Sequence, residues 1–168
     1  MPDVKKIRIL FLCTGNSCRS QMAEGFTRAL RGDLFEPFSA GVAAKGVDPR
    51  AVKAMAEAGV DISAQRSKDV RDLADRSFDY VVTVCNKAKE SCPVFPGRTK
   101  MIHRGFDDPP DLAAGIADED GAMAPYRRVR DEIRALVEAM PGSLESAVDD
   151  PVKAAAHAIG GFLKGLGS

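Results

Sequence analysis

Short unbroken apolar runs and stripes of apolar residues at helical spacing follow one another along this chain. The run KIRILFLC is β-branched and apolar and is bounded by TGN, which suits a strand covered on both faces. From Arg19 to about Leu30, RSQMAEGFTRAL spaces Met22, Phe26 and Leu30 four apart, the stripe of a helix that RGD ends. LFEPFSAG reads as a second strand, with Pro37 favouring a sheet edge. In DPRAVKAMAEAG, Asp48 is placed to cap a helix, Pro49 to open it and Gly59 to close it. A less regular helix is expected from Lys68 to Ala74, then the strand FDYVVTVC, then a fourth strand in TKMIHRGF. MAPYRRVRDEIRALVEAM, with Tyr126, Val129, Ile133, Leu136, Val137 and Met140 at helical spacing, predicts a long closing helix.

Strands alternating with helices predict one α/β domain: a four-stranded parallel sheet in the order 2-1-3-4, helices on both faces and right-handed crossovers. Residues 1–145 are assigned to this domain. Residues 146–168 form an alanine-rich tail, with a helix starting at Asp150 and Pro151 and apolar Ile159, Phe162, Leu163 and Leu166 available for packing. Ligands of such sheets bind beyond the carboxyl ends of the strands. Cys13 follows the first strand, Cys85 ends the third, and Asp107 and Asp108 follow the fourth, so all are expected at one rim.

The chain has 168 residues, 45% hydrophobic and 29% charged, with 24 basic against 24 acidic side chains. That balance argues against a nucleic-acid or anionic-membrane binder, so any anion must be held locally. Two lysines precede the first apolar run, but Arg8 interrupts a stretch too short for a secretory signal. No stretch approaches the roughly 18 to 20 apolar residues that span a bilayer. A cytoplasmic monomer is expected. In a reducing compartment its four cysteines point to catalysis, metal binding or burial rather than structural disulfides.

CTGNSCRS joins the first strand to the first helix and supplies the candidate chemistry. Gly15 and Asn16 tolerate positive φ, and the small residues Thr14, Gly15, Asn16, Ser17 and Cys18 let successive N–H groups turn inward as a concave anion nest. The helix N-terminus adds its positive dipole end, and the Arg19 guanidinium a two-pronged grip on a tetrahedral oxyanion. The same field favours a thiolate at Cys13, to which Ser20 can donate a further hydrogen bond. Cys18 reads as a packing residue that can also protect Cys13 by forming a disulfide. Asp108, on a loop stiffened by Pro109 and Pro110, is a candidate proton donor. His103 and His157 read as a strand and a tail residue without catalytic duties.

FLCTGNSCRSQMAEG, FSAG and DDP resemble the low-molecular-weight protein tyrosine phosphatase family over roughly residues 5 to 140. The first stretch together with Cys85 and Cys92 resembles its thioredoxin-coupled arsenate reductase branch. The resemblance implies that Cys13 is the nucleophile, that Arg19 binds the oxyanion and that Asp108 is the general acid, leaving Asp107 to a turn or cap. Arsenate is then the substrate, with phosphate or sulfate as analogues. Some reductases of the branch hold a potassium ion through positions that Asn16, Glu24 and Ser39 match, plus an acid in the region of QRSKDV. Lys68 aligns with that acid, so its ammonium is expected to stand in for the ion. Family members acting on phosphotyrosine carry aromatics after the aspartate and proline, where this chain has DPPD, so a phosphotyrosine pocket is not expected.

Hydrolysis of a phosphate ester uses Cys13, Arg19 and an acid, and leaves Cys85 and Cys92 idle. Reduction of arsenate needs two electrons, which a dithiol supplies: Cys85 attacks the Cys13 adduct, arsenite leaves, and Cys92 moves the disulfide outward to thioredoxin. Lys87 and Lys89 favour a thiolate nearby. Were residues 86 to 91 helical, the two sulfurs would lie about 10 Å apart along the axis, so that segment must loop out. Neither cysteine pair has zinc-ligand spacing, and no bound metal is expected. A phosphatase acting on phosphate monoesters, and a noncatalytic anion or redox sensor, remain the alternative readings.

Overall fold

The computed structural model describes residues 5–85 and 95–145. β1 (Ile7–Cys13) runs through the centre, with Ile9, Leu10, Phe11 and Leu12 fully buried. α1 (Arg19–Arg31) and β2 (Phe35–Gly41) follow, then α2 (Pro49–Glu57), a 3-10 turn at Val70–Leu73, β3 (Tyr80–Thr83) and β4 (Lys100–His103). α3 (Pro109–Ala113), α4 (Glu119–Glu138) and a 3-10 turn at Gly142–Leu144 complete the described chain.

All strand pairs are parallel and the order is β2-β1-β3-β4, as the pattern predicts. Pro37 sits on the β2 edge, where its missing N–H costs no ladder bond. From β1 the chain steps outward to β2, returns across β1 to β3, and continues to β4. Right-handed crossovers in opposite directions lay their connections on opposite faces of the sheet. The β1–β3 boundary is therefore the switch point, and its carboxyl-end crevice opens beside Cys13.

Apolar stripes bury the helices against this sheet. Met22 and Phe26 of α1 and Met123, Tyr126, Val129, Ile133 and Val137 of α4 lie in one core with β1. Asp48 caps α2 as expected, accepting from Arg50 N at 2.9 Å, and Gly59 takes φ +86° just past its end.

Three local expectations change. α4 begins at Glu119, before Met123, because Asp118 accepts from Gly121 N at 2.7 Å and encloses Pro125 within the helix. The segment after β4 is not just a stiff turn: Pro109 and Pro110 open α3, where a proline lacks only an N–H that would have no helical partner. The Lys68–Ala74 helix shortens to the 3-10 turn. Cys92, Lys87, Lys89, His157 and the tail from residue 146 lie outside the described residues. Among the described residues no helix is long and apolar enough to cross a membrane.

Candidate active site

The segment between β1 and α1 is shaped by what its carbonyls bind. Those of Cys13, Thr14, Gly15 and Ser17 accept from the N–H groups of Val42, Ala43, Lys45 and Asp48 at 3.2, 2.8, 3.0 and 2.9 Å. The Asn16 carbonyl accepts from Gln21 Nε2 at 3.0 Å. In a trans peptide the C=O of one residue and the N–H of the next point in opposite directions. With these five consecutive carbonyls engaged by other groups, the amides of residues 14 to 18 are left facing the opposite way, a candidate nest for an anion at the start of α1.

Two backbone features permit this path. Asn16 adopts φ 47°, whereas Gly15, expected to share that conformation, does not. Gly15 instead lies under the Lys45 side chain, where a Cβ would stand 2.7 Å from Lys45 Cε and the lysine would have to shift. At the end of β2 a Cβ on Gly41 would meet Asn16 N and Thr14 O, both at 2.7 Å, so strand and loop touch backbone to backbone.

The Asn16 side chain fixes the surroundings of the Cys13 thiol. Its Oδ1 accepts from Gln21 Nε2 at 3.0 Å and from Lys68 N at 2.7 Å, so its Nδ2 faces Ser20 Oγ, 2.8 Å away. With that amide donating to it, the Ser20 hydroxyl keeps its own proton available for Cys13 Sγ, also 2.8 Å away. Arg19, 9% exposed, donates Nη1 to the Phe106 carbonyl at 2.9 Å and sets Nη2 3.3 Å from Asp108 Oδ1. Its Nε is buried without an acceptor among the described residues, a desolvation cost that an oxyanion in the nest would relieve.

Asp108 precedes α3 as its N-cap, yet its carboxylate makes no cap hydrogen bond and faces Arg19 instead. Burial raises its pKa above the ordinary 3.8, an effect that outweighs the Arg19 charge pulling the other way, and nearby Asp111 adds to the rise. Asp107 points elsewhere, pairing with Arg128 at 2.9 Å. Cys18 is buried, and burial followed by the charge of Asp48 pushes its thiol well above the ordinary range, keeping it protonated at neutral pH. His103 ends β4 with Nδ1 on Thr83 Oγ1 at 2.9 Å.

Cys85 lines the same cavity of about 360 Å³ as Cys13, Arg19 and Asp108, with its Sγ 3.2 Å from the Thr14 hydroxyl. The sheet register brings it there: β3 ends at Thr83, short of the expected Cys85, but Leu12 pairs with Thr83 and Val84 N donates to Leu12 O at 2.8 Å, so the ends of β1 and β3 set Cys13 and Cys85 on one wall. No aromatic ring lines the cavity among the described residues. Lys45, also on its wall, escaped the sequence reading because it comes from a separate loop and belongs to no local motif.

Beneath the loop, Glu24 accepts from Ser39 Oγ, pairs with Arg28 and lies 3.7 Å from Lys68 Nζ. Burial lowers the Lys68 pKa and Glu24 opposes that shift. The ammonium already provides a cation for this carboxylate, so the residues present do not fit an added potassium ion there.

A model of the low molecular weight phosphotyrosine protein phosphatase family matches residues 8–153. The chain belongs to that family. An arsenate reductase of Halalkalibacterium halodurans is 50% identical over 129 residues, which cover 77% of this chain and 90% of that protein. The solved structure of an arsenate reductase in its phosphate-binding state shares 29% identity at a TM-score of 0.59, over 79% of this chain and 94% of that one. A thioredoxin-dependent arsenate reductase of Corynebacterium glutamicum shares 25% identity at a TM-score of 0.62, over 83% of this chain and 62% of that one. Within the low molecular weight phosphatase family, then, this chain is similar to proteins described as reducing arsenate. The described residues of its cavity include no aromatic ring for a phosphotyrosine to pack against.

Proposed function

We propose that the chain reduces arsenate to arsenite in the cytoplasm, through a relay of Cys13, Cys85 and Cys92 recycled by thioredoxin. The observation that carries this reading is the second thiol at the nest: Cys85 shares the cavity with Cys13 and touches the Thr14 hydroxyl. Ester hydrolysis has no use for it, whereas a two-electron reduction does. The similarity to arsenate reductases supports the same choice.

Arsenate enters the nest, three of its oxygens facing the inward amides of residues 14 to 18 and the Arg19 guanidinium. The Cys13 thiolate, with the Ser20 hydroxyl donating to it, attacks arsenic and displaces the oxygen opposite. Asp108, whose pKa burial raises, gives that oxygen its proton and it departs as water. Cys85 then attacks Cys13 Sγ. The sulfur–arsenic bond breaks with its electron pair going to arsenic, arsenite leaves, and a Cys13–Cys85 disulfide remains. Cys92 attacks Cys85, frees Cys13 and presents a Cys85–Cys92 disulfide to thioredoxin, which takes the two oxidising equivalents.

Alkylation trapping and mass spectrometry after one arsenate turnover test the relay. A Cys85–Cys92 disulfide is expected in the wild type, and a Cys13–Cys85 disulfide in Cys92→Ser. Arsenate-dependent NADPH oxidation with thioredoxin and its reductase that continues undiminished in Cys92→Ser would refute it.

A further inference from the structure

Lys45 stands outside the machinery described so far, yet its backbone is tied to the loop and its side chain lines the cavity. Its backbone N–H donates to the Gly15 carbonyl at 3.0 Å, and its side chain then folds across Gly15. A Cβ on Gly15 would meet Lys45 Cγ at 2.8 Å and Cδ at 3.0 Å. The glycine is what lets the lysine stem lie flat on the anion loop. Lys45 has no ion pair among the described residues, whereas Arg19, the other cation of the cavity wall, is held by Asp108. Its charge reaches Asp108, where it opposes the rise that burial causes.

An in-line attack orders the substrate's oxygens around this wall. Cys13 reacts from the floor, three oxygens face the loop amides, and the leaving oxygen points outward toward Asp108 and Lys45. On a free oxyanion this outer oxygen is bare and carries charge or a hydroxyl. On a monoester the same oxygen bears an organic group, which meets Lys45 on the wall and no aromatic ring among the described lining residues.

We propose that Lys45 is a specificity-determining residue of the anion pocket: laid over Gly15, its ammonium recognises the bare outer oxygen of an inorganic oxyanion and disfavours organic monoesters. This deepens the arsenate reading and rests on it for the substrate's identity. The discrimination between free and esterified anion rests on the Lys45 geometry alone.

The test compares wild type, Lys45→Met and Lys45→Arg as reduced full-length chains. Titration calorimetry measures inorganic phosphate and phenyl phosphate binding, and the thioredoxin-coupled assay measures arsenate kcat and KM. Lys45→Met should weaken phosphate binding and raise arsenate KM by about threefold to thirtyfold, as expected for one cation lost from a partly solvated site. Phenyl phosphate affinity should hold or improve, arsenate kcat should change less than about threefold, and Lys45→Arg should restore most of the phosphate affinity. Equal losses for phosphate and phenyl phosphate, no loss for either, or a fall confined to kcat would each overturn the proposal. A wild type that binds phosphate but does not turn over arsenate would sink the reductase reading, and the phosphate-to-phenyl-phosphate ratio would still decide the role of Lys45.

Discussion

Replacing Gly41 by alanine should damage the anion loop without touching any group that reacts. The new Cβ would stand 2.7 Å from Asn16 N, 2.7 Å from Thr14 O and 2.9 Å from Gly15 C. Ordinary contact begins near 3.4 Å, so strand or loop must retreat by about 0.7 Å. Neither side yields easily, since all three atoms are backbone. The strand is pinned by Gly41 N on the Lys68 carbonyl at 2.8 Å, and the loop by Val42 and Ala43 donating to the Cys13 and Thr14 carbonyls. Overpacking of this kind costs about 1–3 kcal/mol, which lowers Tm by roughly 2–12 °C for a domain of this size. The larger effect should be on function, because sites of this type tolerate displacements of only about 0.5 Å. Phosphate affinity should fall about tenfold to a hundredfold. Calorimetric phosphate titration and thermal unfolding of Gly41→Ala read both quantities. Gly142→Ala, where a Cβ meets nothing within 4 Å, is the control and should match the wild type. A Gly41→Ala protein that melts with the control and binds phosphate equally well would show that the loop is not held by this contact.

Ser20→Ala removes the donor to Cys13 and strands the Asn16 amide, so the rate of Cys13 alkylation by iodoacetamide at neutral pH should fall about tenfold, consistent with one lost charge-assisted hydrogen bond; an unchanged rate would remove Ser20 from the mechanism. Asp108→Asn should lower arsenate turnover by about a hundredfold to ten-thousandfold and flatten its decline with rising pH. The sign for stability is separate. With a folded pKa above 3.8, Asp108 favours the folded state below that value and loses this contribution as pH rises through the folded value, so Asp108→Asn should be less sensitive to pH across that window in thermal unfolding.

Elements whose cause is local were legible in the sequence. A buried apolar run followed by a small-residue turn and a helical stripe specified β1, the loop and α1 to within a residue, and Asp48 with Pro49 specified the start of α2. The same locality explains why one motif placed Cys13, Arg19 and Ser20 together. Among the boundaries misread were some beside prolines: Pro109 and Pro110 open a helix, and the helix holding Pro125 starts earlier than expected, at Glu119, while Lys68–Ala74 shortens to a 3-10 turn. Around the loop, short-range reasoning accounted for Asn16 and not for Gly15, whose neighbour is a lysine thirty residues later. Gly41, Lys45 and the Thr14 contact to Cys85 share that character. Each is a meeting of segments that only the sheet register brings together, and each acts on where an atom sits rather than on what it can do. Reactive side chains can be read from one motif because their chemistry is intrinsic. The backbone that aims them is contributed by β2, β3 and the loops behind them, so variants at these distant glycines should separate anion affinity from thiol reactivity in a way that changes within the loop cannot.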